Sequence, residues 1–208
     1  VKSGGNMLSE AFPATASDAG AVGFILSELR RISGAILWIQ DRQSQMESGH
    51  PYLPALPGRS MIQVDLNRPV DVLWAAEEGL RCQSLGAIVA ELWGDPRALT
   101  FTATKRLALR AERHKVPCWL IRRGASPDLS AARNRWRIAS VPSHPHIHDS
   151  QAPGDPRWQV ELFRSRTQAP GTWVASYDRA ADNINFSAPF RDGALVQDDG
   201  TERRKTAR

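Results

Sequence analysis

The chain has 208 residues, 41% of them hydrophobic and 24% charged, a net charge of +5 and a sequence pI near 9.8. This suits a soluble chain with one sizeable core and leaves room for anionic partners. No stretch of about 18 apolar residues exists, so no membrane span is expected. No charged segment followed by an apolar one opens the chain, so no secretory signal is expected and the compartment reads as cytoplasmic. The chain begins at Val1 rather than Met, which leaves room for a segment before it.

Residues 17–31 are expected to form a helix that feeds a first buried strand, Ala35 to Gln40, after Gly34. Met61 to Asp65 reads as a second strand. From Val70 to Arg81, Val72, Leu73, Ala76 and Leu80 fall on one helical face. Gly86 to Leu92 is a third strand. Thr102 to His114 is a basic amphipathic helix starting near a threonine cap, and Val116 to Ile121 is a fourth strand. Strand and helix alternating in this way predict an α/β fold with a mainly parallel sheet. Pro142 to Pro156 carries four prolines and reads as a loop. Trp158 to Phe163 and Thr172 to Tyr177 alternate around Pro170-Gly171, as an antiparallel hairpin does. One domain is expected over residues 1–186, with the loop at 142–156 and the hairpin at 157–186. Residues 187–208, polar and rich in charge, read as a disordered tail.

Charge is unevenly spread. Residues 97–137 carry eleven Lys or Arg against two acids, Glu112 and Asp128, a net of +9 opposite −4 for the remainder. The band ends in Arg133-Asn134-Arg135-Trp136-Arg137. Arginines beside an indole suit phosphates and stacked bases, but the same alternation follows from a strand that buries Trp136 in the core. Cys82 and Cys118 lack metal-ligand spacing and read as buried thiols. His144, His146, His148 and Asp149 lie between prolines, where solvation is the simpler reading than a metal site. Glu77-Glu78 reads as a solvated pair. Trp38, Trp93 and Trp119 are expected in the core, and Trp74 is expected on the surface.

Four stretches resemble the ImuA family, RecA-related proteins encoded beside bacterial mutagenic polymerases. They are Leu8 to Phe12, Ile36 to Arg42, Gly86 to Gly94, and Ala131 to Ile138 followed by Pro156 to Leu162. The resemblance implies a RecA-like core from about Ser3 to Phe186, extended by the C-terminal hairpin. It places a degenerate nucleotide site at Ser17, Asp18, Ala19 and Gly20, with Glu91 at the position of the Mg²⁺-binding acid. A phosphate-binding loop needs glycines, a lysine and a Ser/Thr hydroxyl. Here Ala19 and Gly20 stand where Lys and Thr would be, so no ATP turnover and no cofactor are expected. The resemblance also turns the loop after the fourth strand toward DNA, making Arg122, Arg123 and Arg133 the main phosphate contacts, with Arg135 and Arg137 beside them. The implied role is non-catalytic: an accessory to SOS-induced translesion synthesis. Its implied partners are an ImuB-like pseudo-polymerase, an error-prone DNA polymerase, RecA and single-stranded DNA. The alternative is a SulA-like division inhibitor that binds a tubulin-like protein, because the Leu37-Trp38-Ile39-Gln40 strand is similar there too.

Overall fold

A computed structural model describes residues 5, 7–52 and 58–188. The tail expected from residue 187 therefore lies, beyond Ala188, outside the described residues. Six strands run parallel: β1 (Leu8–Pro13), β2 (Ala35–Asp41), β3 (Met61–Leu66), β4 (Leu85–Trp93), β5 (Cys118–Arg123) and β6 (Asn134–Val141). The helices are α1 (Gly20–Leu29), α2 (Arg42–Ser48), α3 (Pro69–Gly79) and α4 (Phe101–His114). Then come β7 (Pro145–His146) and β8 (Asp149–Pro153), a small separate ribbon inside the segment expected as a loop. Strands β9 (Arg157–Ser165), β10 (Gly171–Asp178) and β11 (Asn183–Ser187) add antiparallel to β6, so the expected hairpin gains a third strand. The sheet order is β11-β10-β9-β6-β1-β5-β4-β2-β3. The α/β class with a mainly parallel sheet and an antiparallel C-terminal end is as the sequence predicts.

The sheet is covered on both faces, which explains why its central strands are apolar throughout. On one face α1 buries Phe24, Ile25 and Leu29 against Trp38, Trp119, Trp136, Trp158 and Val160. On the other, α3 and α4 bury Leu73, Ala76, Leu107 and Ala111 against Ile39, Ile88, Leu92 and Leu120. Phe24 meets the rings of Trp119 and Trp158 edge-on, with centroids 6.3 and 6.0 Å away.

Local signals set the helix ends. Thr100 accepts a bond from the Ala103 N–H at 3.2 Å and starts α4, while Arg113 and His114 sit in its last turn, where the helix dipole favours cations. Pro69 and Asp71 open α3. Gly34 has φ +94°, and a Cβ there would lie 2.7 Å from the Gly86 nitrogen, so β2 and β4 start side by side only with glycine at this point.

Some expectations change. Residues 17–19 precede α1 rather than belonging to it. Cys82 is exposed; Cys118 is buried. Glu77 is buried, paired with Arg106 at 2.7 Å and Arg110 at 3.3 Å across the α3–α4 contact, and so is not solvated. Trp38, Trp119 and Trp136 are in the core, Trp93 is half-buried and Trp74 is exposed. No helix among the described residues is long and apolar enough to cross a membrane.

Candidate functional site

The chain reverses direction across the sheet at β1. It leaves β1 over α1 to β2, three strands away, and later returns to β6 on the other side of β1. Crevices at the carboxyl ends of strands at such a switch point are where α/β folds bind ligands. Here the loop 14–19, the start of α1 and the ends of β4 and β5 meet.

The N-terminus of α1 carries unpaired N–H groups and a partial positive charge. Asp18 answers both from within the chain. Its Oδ1 accepts from the Gly20 N–H at 2.7 Å and the Ser140 hydroxyl at 2.5 Å, and its Oδ2 accepts from the Ser140 N–H at 2.9 Å. Gly20 permits this closeness, since a Cβ there would lie 2.8 Å from the Ser140 Oγ. Burial alone would raise the Asp18 pKa, but the Ser140 bonds, the Gly20 N–H and the Arg123 charge outweigh it and hold the carboxyl below its usual range. Ala19 offers no side-chain cap, and the Ser17 hydroxyl faces only Thr15 at 3.4 Å.

Beneath this loop Glu91 sits on β4, 1% exposed. Its Oε1 accepts from Trp38 Nε1 at 2.7 Å and Gln40 Nε2 at 3.1 Å, and its Oε2 accepts from Arg123 Nε at 2.7 Å. The other end of Arg123 donates to the carbonyls of Ala16 at 3.0 Å and Asp18 at 3.3 Å. Burial pushes the Glu91 carboxyl up; the Arg123 charge and the bonds from Arg123 and Trp38 pull it back. The network joins β4 to β5 and clamps the loop above. A cavity of about 400 Å³ opens beside it, bounded by Ser17, Gly23, Ser48, Tyr52, Glu91 and Arg123. A wider groove of about 690 Å³ runs along α1 between Gly23, Leu26, Trp158 and Tyr177.

These residues do not fit a nucleotide phosphate. A phosphate at the start of α1 would meet the Asp18 carboxylate already holding those donors. Ala19 carries no cation, Gly20 no hydroxyl, and the Glu91 carboxylate is already held by three side chains.

The arginines expected at a DNA-facing surface lie largely elsewhere. Arg122, Arg123 and Arg135 are 4%, 2% and 3% exposed. Arg122 bonds Asp95 at 2.6 Å and approaches Glu10 to 3.9 Å. Arg135 bonds Glu10 at 2.6 Å, while the Ser130 hydroxyl donates to the same carboxylate at 2.7 Å. The Phe12 ring lies 5.6 Å from the Arg122 guanidinium and 5.3 Å from that of Arg135. These three, expected as DNA contacts, lie inside the fold, where Glu10 in β1 and Glu91 in β4 are buried acids that require buried partners. Arg137 keeps a solvent-exposed side chain, 50%, whereas that of Arg133 is half-buried at 16%; they pair with Glu161 and Glu112 respectively. Trp136, between them, is fully buried, and β6 is an interior strand between β1 and β9, not an edge.

The carboxylates Glu10, Asp95 and Glu161 were not singled out from the sequence, and Glu112 was noted only as an acid within the basic band. Glu10 and Glu91 do carry a signal, as single acids in otherwise apolar strands.

No family model matches the chain. Over 172 residues it is 34% identical to Protein ImuA of Caulobacter vibrioides strain NA1000 / CB15N, and equally to Protein ImuA of strain ATCC 19089 / CIP 103742 / CB 15. Each match covers 77% of this chain and 66% of the relative's length, a little under two thirds.

Proposed function

The chain belongs to the ImuA family, and from that premise we propose that it is a non-catalytic accessory of SOS-induced mutagenic translesion synthesis. The observation that carries the non-catalytic part is the closed carboxyl-edge site. Asp18 holds the helix N-terminus, and Arg123 holds both Glu91 and the loop. A frame whose helix N-terminus is already held by a carboxylate, with Ala19 where a phosphate-binding lysine would stand, works by contact rather than turnover. Its partners in this reading are an ImuB-like pseudo-polymerase, an error-prone DNA polymerase and RecA, in the cytoplasm. A RecA-like frame without a nucleotide site would cap or redirect a filament rather than extend it. Single-stranded DNA enters the reading through Arg137, whose side chain is exposed, and Arg133, which is half-buried.

The test is genetic. Deleting the gene is expected to lower the damage-induced mutation frequency, and the intact gene supplied in trans is expected to restore it. A deletion strain with unchanged induced mutagenesis would sink the proposal. Filamentous cells on overexpression, with normal mutagenesis, would turn the reading to a division inhibitor.

A further inference from the structure

Once the buried and paired arginines are set aside, the exposed charge of the basic band lies mostly along α4. Arg97, Lys105, Arg113 and Lys115 are exposed and form no ion pair among the described residues. Phe101, Lys105, Leu109 and Arg113 follow one another at intervals of four, which places them on one outward stripe of the helix. Phe101 is 41% exposed and Leu109 51%, so the stripe alternates apolar and cationic groups. Beside it runs α3, where Val70, Trp74 and Glu77 share a face. Glu77 is held by Arg106 and Arg110 of α4, so the exposed pair Val70 and Trp74, 48% and 67%, borders the same surface. Core packing does not account for an indole left this open, and aromatics of this kind anchor interfaces.

We propose that the outer face of α3 and α4 binds an acidic amphipathic helix of a partner protein. Charge complementarity names the acids, and periodicity names the helix. Lys105 and Arg113 are about 12 Å apart along the axis, the separation of residues i and i+8 on a second helix. A helix laid along α4 with carboxylates at those positions and an apolar residue between them would meet Lys105, Leu109 and Arg113 in turn, with Trp74 as the flanking anchor. Nucleic acid fits less well: Trp74 and Phe101 have flat faces for bases, but Val70 and Leu109 beside them are aliphatic and have none. The inference rests on the reading that this chain acts through protein contacts. Its test has no mutagenesis readout, so failure removes the α4 surface and leaves that reading standing.

The probe is a fluorescein-labelled helical peptide of about twenty residues with Glu and Leu alternating at every fourth position of one stripe. Fluorescence anisotropy at low salt is expected to show saturable binding. Leu109→Ser and Trp74→Ser should each weaken it about tenfold, and joint Lys105→Glu and Arg113→Glu should abolish it. A peptide with Lys in place of Glu should bind the charge-reversed protein. All four side chains are exposed, so circular dichroism should match the native chain, with a small fall in thermal midpoint where Arg113→Glu opposes the dipole of α4. Absence of saturable peptide binding by the native chain overturns the proposal. So does charge reversal without effect. A third overturning result is an oligothymidylate of about twenty nucleotides that binds in place of the peptide and is lost on charge reversal but indifferent to Leu109→Ser.

Discussion

Replacing Arg123 with methionine should be among the most damaging single changes in this fold. The Arg123 and Glu91 side chains are 3% and 1% exposed, so water does not screen their pairing. The substitution leaves the Glu91 carboxylate buried with only Trp38 and Gln40 as donors. It also strips the Ala16 and Asp18 carbonyls of their bonds and frees the loop ahead of α1. Breaking a buried pair on one side costs about 3–5 kcal/mol. Removing both charges, as Glu91→Leu with Arg123→Met, leaves neither member of the pair buried without the other and should cost well under the sum of the two single changes. The coupling should exceed about 2 kcal/mol. Urea unfolding of the four proteins of the cycle measures it. A single-variant cost below about 1 kcal/mol, or additivity across the cycle, would refute the claim that this pair locks the site.

Burial pushes the Cys118 thiol up to about 12, whereas Cys82 is exposed; a thiol reagent should label Cys82 in the native protein and Cys118 only after unfolding. Asp18 has a folded pKa below its ordinary value of 3.8, so its contribution to stability is present above that value and is lost as pH falls through the folded pKa. Asp18→Asn should therefore flatten the acid limb of the stability profile below about pH 4, and an unchanged limb would exclude this linkage. Thr100→Ala should cost about 1 kcal/mol in urea by removing the cap of α4, and an unchanged midpoint would show that the cap does not contribute. Joint Arg133→Ala and Arg137→Ala should weaken single-stranded DNA binding and reduce its salt slope by about 1.4; unaltered binding would exclude these two as phosphate contacts.

The buried parallel strands were legible because continuous apolar runs such as Ile88-Val89-Ala90 have few alternatives to a two-sided sheet. The capped basic helix was equally plain. The short helix α2 was not, since it is polar and depends on the Asp41 side chain, which accepts from the Ser44 N–H at 2.7 Å. The third C-terminal strand was missed although Ile184 and Phe186 alternate with polar residues, because Asn183–Ser187 is only five residues long and rests on pairing with β10. The arginines misled for a different reason. Periodicity treats Arg as outward-facing, but Arg135 answers Glu10, 125 residues away, and Arg123 answers Glu91, 32 residues away. Nothing local marks such long-range pairs. The missing lysine and threonine at Ala19 and Gly20, and the acid at Asp18, were legible in the sequence. That Asp18 turns back onto the helix N-terminus depends on Ser140, 122 residues on, and could be seen only in the fold.

The central claim is that the carboxyl-edge site is closed to nucleotide and that the chain works by contact. Calorimetric titration of the purified protein with Mg²⁺-ATP, with and without single-stranded DNA, tests it most directly. No saturable heat and no phosphate release above background are predicted. Saturable ATP binding, or DNA-stimulated hydrolysis abolished by Glu91→Gln, would contradict it.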